Sequence, residues 1–194
     1  MELETLNDEL DRAKKYKIFD AAKELFGRFG FRKTTVDEIA DRAGISKRTM
    51  YSVFNSKEQI LAELVLHEAR AFRHTCMEEL KRCATPVDKL RLFCTLSANY
   101  FDENPFLGRV LSDDAHLFAP FLGNEIHVVE EGIKDIIGRL LQEGMEAGVF
   151  RPMDLTHAVQ CVMVMFRGFT YQRAAIRDNN TEWIDFILRA ITNP

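Results

Sequence analysis

Ser46, Lys47, Arg48 and Thr49 place two hydroxyls and two cations in consecutive positions, directly after Gly44 and Ile45. On the first turn of a helix such a group serves polyanion recognition. Lys47 and Arg48 reach phosphates or guanine edges, and Thr49 contacts a base or a thymine methyl. Tyr51 adds a flat apolar body whose hydroxyl suits a phosphate oxygen. Thr35 and Lys57 fall where helices should begin, and the free amides and dipole of a helix start favour an anion. These residue types bind and read; they do not make bonds.

Catalysis and metal binding have no comparable constellation. No G-x-S-x-G, phosphate loop or dinucleotide fingerprint occurs, and Glu130 and Glu131, about 100° apart on a helix, make a solvated edge rather than an acid and base pair. His67 and His74 are separated by about 10.5 Å along a helix axis, too far to chelate one metal. Cys76, Cys83, Cys94 and Cys161 contain no C-x-x-C pair, so buried reduced thiols are expected instead of a zinc or redox motif. His116, His127 and His157 would meet only through tertiary folding. The expectation is a protein that is not an enzyme and holds no metal or cofactor.

A net charge of −4 over 194 residues argues against nucleic acid only while it is averaged. Residues 11–57 hold twelve Lys and Arg against six Asp and Glu, whereas residues 58–194 hold fourteen against twenty. A basic segment on an acidic body concentrates phosphate binding at one end. The length and the 46% hydrophobic share allow a small domain plus a larger one with a real core. Residues 1–10 carry four acids and no apolar run, unlike a signal peptide. The longest apolar run, 158–166, is broken by Gln160 and falls short of the roughly 18 residues of a membrane span. A cytoplasmic protein without membrane contact is expected.

Apolar residues recur at three and four throughout, so the elements that position these side chains are helices and the fold class is all-α. A first helix over 7–29 carries the stripe Ile18, Phe19, Ala22, Leu25, Phe26 and Phe29 and stops at Gly30. Thr35 to Glu38 fits a capping box that opens a second helix, with Ile39, Ala40 and Ala43 inward. Gly44 supplies the reversal, and Ser46 caps a short third helix over 47–53. Ser56 to Gln59 fits another capping box, opening a helix to about 84. Thr85 and Pro86 start the next, which Asn104 and Pro105 end. Further helices are predicted over 106–111, 122–147, 154–176 and from 181 onward, about nine in all. Residues 35–54 thus form a helix-turn-helix whose second helix suits a major groove. The expected division is a DNA-binding domain over 1–57 and a C-terminal ligand-binding and dimerisation domain over 58–194.

Ala21-Ala22 with Leu25-Phe26, Gly30, Thr34-Thr35-Val36, Ile39-Ala40, Ala43-Gly44-Ile45-Ser46, Thr49-Met50-Tyr51, Phe54 and Ser56-Lys57-Glu58 resemble the N-terminal domain of the tetracycline-repressor (TetR) family. The resemblance covers residues 16–60. It departs from the family pattern at Arg48, where many relatives carry glycine. Membership implies an all-helical homodimer, a C-terminal ligand cavity, and release of DNA when ligand binds.

Helix 154–176 is apolar on two sides, through Val159, Val162, Met163, Phe166, Phe169 and Thr170 on one and Cys161, Val164, Met165 and Gly168 on the other. The last helix repeats this with Ile184, Ile187, Leu188 and Ile191 beside Trp183, Phe186 and Ala190. Such helices must be covered twice. They serve as half of an intermolecular four-helix bundle, with Val162, Phe166, Phe169, Ile184, Ile187 and Ile191 at the interface, or as a thicker core within one chain. Between the preceding helices, Phe93, Phe101, Phe106, Phe118, Phe121 and Phe166 supply an aromatic wall. Arg109, His127 or Arg167 would orient a polar group on a mostly apolar effector. Three functions remain open: a ligand-responsive repressor on a palindromic double-stranded operator, a DNA-binding protein without effector, and an enzyme on a helical scaffold.

Overall fold

The computed structural model describes the backbone of residues 2–104, 106, 107, 110, 115–170 and 182–193. Its helices are α1 (Glu2–Phe29), α2 (Val36–Ala43), α3 (Lys47–Val53), α4 (Lys57–Leu80), α5 (Pro86–Glu103), α6 (Ala115–Glu146), α7 (Leu155–Thr170) and α8 (Glu182–Ile191). Among the described residues the only β pairing is an isolated bridge between Phe150 and Thr192. Of the predicted 106–111 helix only residues 106, 107 and 110 are described, and all three are helical. The predicted continuation of α7 to 176 and the start of the last helix at 181 lie outside the described residues.

Two compact units divide the chain, Met1–His67 and Glu68–Pro194. The boundary falls inside α4 rather than at its start. In the first unit, α1 ends where Gly30 adopts φ 84 and its amide donates to the Phe26 carbonyl at 3.0 Å. Ile18, Ala22, Phe26, Ile39, Ala40, Met50, Phe54 and Leu61 are buried. Phe29, expected in this core, is instead 51% exposed. Phe31 takes its place, buried past the turn with its ring edge-on to Phe26 at 5.3 Å. The capping box at Thr35 forms on both sides, with the Glu38 amide donating to the Thr35 hydroxyl at 3.2 Å and the Thr35 amide to the Glu38 carboxylate at 2.8 Å. At α4 the box forms by half: the Gln59 amide donates to the Ser56 hydroxyl at 3.1 Å, but the Gln59 side chain reaches one residue further, accepting from the Asn55 amide at 2.8 Å.

In the second unit, α5 starts on Thr85, whose hydroxyl accepts the Asp88 amide at 3.1 Å. α6 begins before the predicted residue 122 and kinks at Leu122 (φ −131°), two residues after Pro120. Proline supplies no amide to the helix ladder, so a bend there is the expected response. After Gly148, at φ 67, the chain folds back until the Phe150 ring lies 1.9 Å from where a Cβ on Gly144 would stand. Only glycine fits that position. The same connection is tied to the chain's last residues by Arg151 donating to the Ile191 carbonyl at 2.8 Å and Asn193 to that of Val149 at 3.0 Å. Leu90, Phe93, Ile137, Leu141, Phe150 and Phe166 form the core. The four cysteines are free. Burial pushes the Cys76 thiol up to about 11 and the Cys94 thiol to about 12, so both stay protonated and inert. Cys161, expected buried, is exposed.

Candidate nucleic-acid interface

The turn between α2 and α3 is built from Gly44 in the left-handed region, φ 66 and ψ 33, with its amide bonded back to α2. That reversal lets Ser46 adopt an extended conformation and cap α3, its hydroxyl accepting the Thr49 amide at 3.0 Å. The Thr49 hydroxyl lies 2.9 Å from that of Ser46, so the two form one fixed polar edge on the first turn. Arg48 is exposed on the same turn, with no bonded partner among the described residues. Tyr51 is 53% exposed, so its ring is open to solvent on this helix. Met50, between them, is fully buried and anchors the helix.

Two expected phosphate ligands are engaged within the protein. Lys47 pairs with Asp37 of α2 at 2.5 Å, and that hydrogen bond holds its ammonium above the usual lysine range. Both partners are largely exposed, so the pair is weak. Lys57 is engaged by the backbone. Its ammonium donates to the carbonyls of Phe31 and Thr34 at 2.8 Å each and stands 4.5 Å from the Phe31 ring. It braces the turn before α2 instead of projecting outward. Thr35 keeps its place at the start of α2, with its hydroxyl and amide both committed to Glu38.

The expected ligand wall comes together only in part. The Phe93 and Phe166 rings stack at 5.7 Å and 16°, and Phe101, Phe106 and Phe118 are buried. Phe121 is 40% exposed and His127 also lies on the outside, because the Leu122 kink sets the direction of that part of α6. Arg167 pairs with Glu130 at 2.5 Å, and Arg109 lies outside the described residues. The indole N–H of Trp183 and Nε of Arg167 are buried without an acceptor among the described residues. A polar cluster absent from the sequence expectations joins α4 to α5: the buried Glu68 carboxylate accepts from the Tyr100 hydroxyl at 2.8 Å and the Asn104 amide at 2.6 Å. Its signal was available, since Glu68 interrupts the apolar stripe Leu61, Leu64, Val65 at helical spacing.

Of the residues expected at an interface on α7 and α8, Val162, Phe166, Ile184, Ile187 and Ile191 have little exposed surface in the single chain, and Phe169 stacks on Trp183 at 5.4 Å. Val162, Ile187 and Ile191 also line an open groove between the two helices. The outward apolar residues are Val164, 71% exposed, and Phe186, 66% exposed. Sequence periodicity shows that a helix has two apolar sides; which side the chain's own core takes is decided by tertiary packing.

Comparison with known proteins agrees with this geometry. Residues 18–64, spanning α2, α3 and their flanks, match the profile of bacterial regulatory proteins of the tetR family. The chain is 28% identical over 137 residues to the fatty acid metabolism regulator protein of Bacillus subtilis, covering 71% of each. It is similar to the TetR family regulator PfmR from Thermus thermophilus, with TM-score 0.67 and 29% identity over 89% of this chain and 97% of that one. It shares its fold with FadR from Bacillus subtilis, solved in complex with stearoyl-CoA, at TM-score 0.73 and 22% identity over 90% and 95% of the two chains. With a capped α3 after the Gly44 turn and an all-helical second unit, the chain carries the tetR-family match over residues 18–64 and is similar along most of its length to TetR-family transcriptional regulators.

Proposed function

We propose that this chain is a ligand-responsive DNA-binding regulator, a homodimer that sets two α3 helices into successive major grooves of a palindromic operator and releases them when a small molecule binds. The carrying observation is the first turn of α3, where a fixed Ser46–Thr49 edge sits beside an exposed, unpaired Arg48. Arg48 and Thr49 read base edges, while Tyr51, Lys47 and the amides at the start of α2 hold phosphates. Dimerisation is supported by Val164 and Phe186, which lie outward on two helices that flank a groove of about 370 Å³. An effector with an apolar body and an oxygen acceptor is supported by the Phe93 and Phe166 stack and by the buried Trp183 N–H, which lacks an acceptor among the described residues. The stearoyl-CoA held by one structural relative fits that description.

Selection of bound fragments from the source genome yields the operator, and binding is then measured on operator and scrambled duplexes. Arg48→Ala should cost about 1–3 kcal/mol on the operator and relax discrimination at one base position. Equal loss on both duplexes would reduce Arg48 to a phosphate contact. Stearoyl-CoA added to the operator complex tests effector control; a complex indifferent to it and to other acyl carriers favours a regulator without effector. For the dimer, Phe186→Glu should sediment as a monomer with its helices intact, and a folded Phe186→Glu dimer would refute the bundle.

A further inference from the structure

Residues 30–34 form a turn that is bonded more tightly than its position between two helices requires. The Thr34 hydroxyl, 1% exposed as a residue, donates to the Gly30 carbonyl at 2.9 Å and approaches that of Leu25 at 3.4 Å. The Lys57 ammonium holds the carbonyls on either side of residues 32 and 33, and Phe31 is packed into the core. Between these anchors stand Arg32 and Lys33, both exposed and neither paired with an acid among the described residues. Four cations on this unit's helices are engaged by acids: Lys14 with Asp11, Lys15 with Glu63, Arg42 with Glu24 and Lys47 with Asp37. Two unpaired cations on a pinned backbone are the opposite of a solvated charge run, which is mobile and neutralised by neighbours.

We infer that Arg32 and Lys33 are a phosphate clamp for the DNA backbone flanking the bases read by α3, and that Lys57 is the positioning residue that holds the clamp. The inference rests on the DNA-binding reading above. The turn leads directly into Thr35, at the start of α2, and is bonded to the first residue of α4, so the clamp adjoins two helix starts whose dipoles favour the same anion. Pre-fixing the backbone removes ordering cost on binding, which for long cationic side chains is a substantial part of the total. Contacts of this kind set register on the duplex and carry no base information.

The test measures affinity of the full chain for the selected operator and for a mixed-sequence duplex across a salt series. Each released phosphate contact changes the slope of log affinity against log salt by about 0.9, so Arg32→Gln with Lys33→Gln should lower it by about 1.8 on both duplexes. The affinity loss should shrink about 12-fold when salt is raised about fourfold, and the preference for operator should be unchanged. Removing the same charge elsewhere, with Lys81→Gln and Arg82→Gln in the second unit, should leave the slope as it is. Adding Lys57→Met to the turn variant should change the slope no further, because a brace has nothing left to hold. A further fall of about 0.9 would make Lys57 itself a phosphate ligand and overturn its positioning role. An unchanged slope in the turn variant, or an equal fall in the Lys81 and Arg82 control, overturns the clamp while leaving DNA binding intact. Failure of the unaltered chain to bind either duplex overturns both.

Discussion

The first unit is held in shape by short polar devices and the second by long apolar ones. In residues 30–59 nearly every reversal is fixed within four residues: Thr34 to Gly30, Thr35 with Glu38, Ser46 with Thr49, Asn55 with Gln59. Between α5, α7 and α8 the fixing contacts span long stretches of chain, as in Phe93 on Phe166 at 5.7 Å and Phe166 on Trp183 at 6.5 Å. A recognition element must present side chains at a set angle with little core beneath it, and hydrogen-bonded caps do this locally. The second unit is built around an interior, and interiors are assembled from distant residues.

The largest expected effect lies in that interior. Phe166 is fully buried, stacked on Phe93 and edge-on to Trp183 at 6.5 Å. Phe166→Ala should cost about 3–5 kcal/mol through lost burial and the cavity left behind. Hydrogen exchange should show the loss spread over α5, α7 and α8, with the amides of α2 and α3 scarcely affected. Uniform loss in both units would mean that they open as one, and the contrast between them would fail.

The same contrast governs what was legible in the sequence. Thr35 with Glu38, Gly44 and Ser46 were all readable, because a cap depends on residue types within one turn. Helix identity was readable throughout, since the three-and-four spacing survives any tertiary arrangement. Side-chain destinations were not. Double-sided apolarity at Val162 and Ile187 fits a partner chain or the chain's own core, and only packing shows that the single chain leaves them little exposed surface. Lys57 was assigned to phosphate from its place at a helix start, yet two carbonyls far earlier in the chain claim its ammonium. Arg32 and Lys33 counted only toward the basic stretch, because nothing in composition distinguishes a pinned cation from a free one. The Leu122 kink was missed although Pro120 announced it.

A second perturbation sharpens the comparison from the other side. Thr35→Ala removes the hydroxyl that accepts the Glu38 amide, and losing such a cap costs about 1 kcal/mol. Exchange should rise at the first turn of α2 and leave α5 and α7 unchanged. Thr35→Ser should restore protection, because serine supplies the same oxygen. If Thr35→Ala loosened the second unit as well, local caps would not be what defines the first.

The smallest effect is a dependence on pH at that same cap. The Glu38 carboxyl is held below its usual range, first by the Thr35 backbone amide, then by the Thr35 hydroxyl, with the nearby Lys57 ammonium adding to both. A carboxyl depressed in the folded state contributes stability that is present above the ordinary carboxylate range and is lost as pH falls through the folded value. Glu38 is exposed, so the contribution is screened and confined to the first turn of α2. In the second unit the Glu131 carboxyl is lowered chiefly by its hydrogen bond to Lys134, and Glu78 by its bond to Lys81, so acid loosens surface pairs there and no cap. Hydrogen exchange followed from about pH 6 to about pH 3, corrected for intrinsic rates, should show α2 losing first-turn protection before α5, where the Asp88 carboxylate accepts from the Thr85 hydroxyl whereas Glu38 accepts from both the hydroxyl and the amide of Thr35. Glu38→Gln should abolish that dependence while keeping an acceptor for the Thr35 amide. Raising salt should leave most of it in place, because its leading cause is a hydrogen bond and only the Lys57 contribution is screened. A pH dependence that vanished in salt would instead make Lys57 the dominant partner of Glu38, and the cap a product of charge.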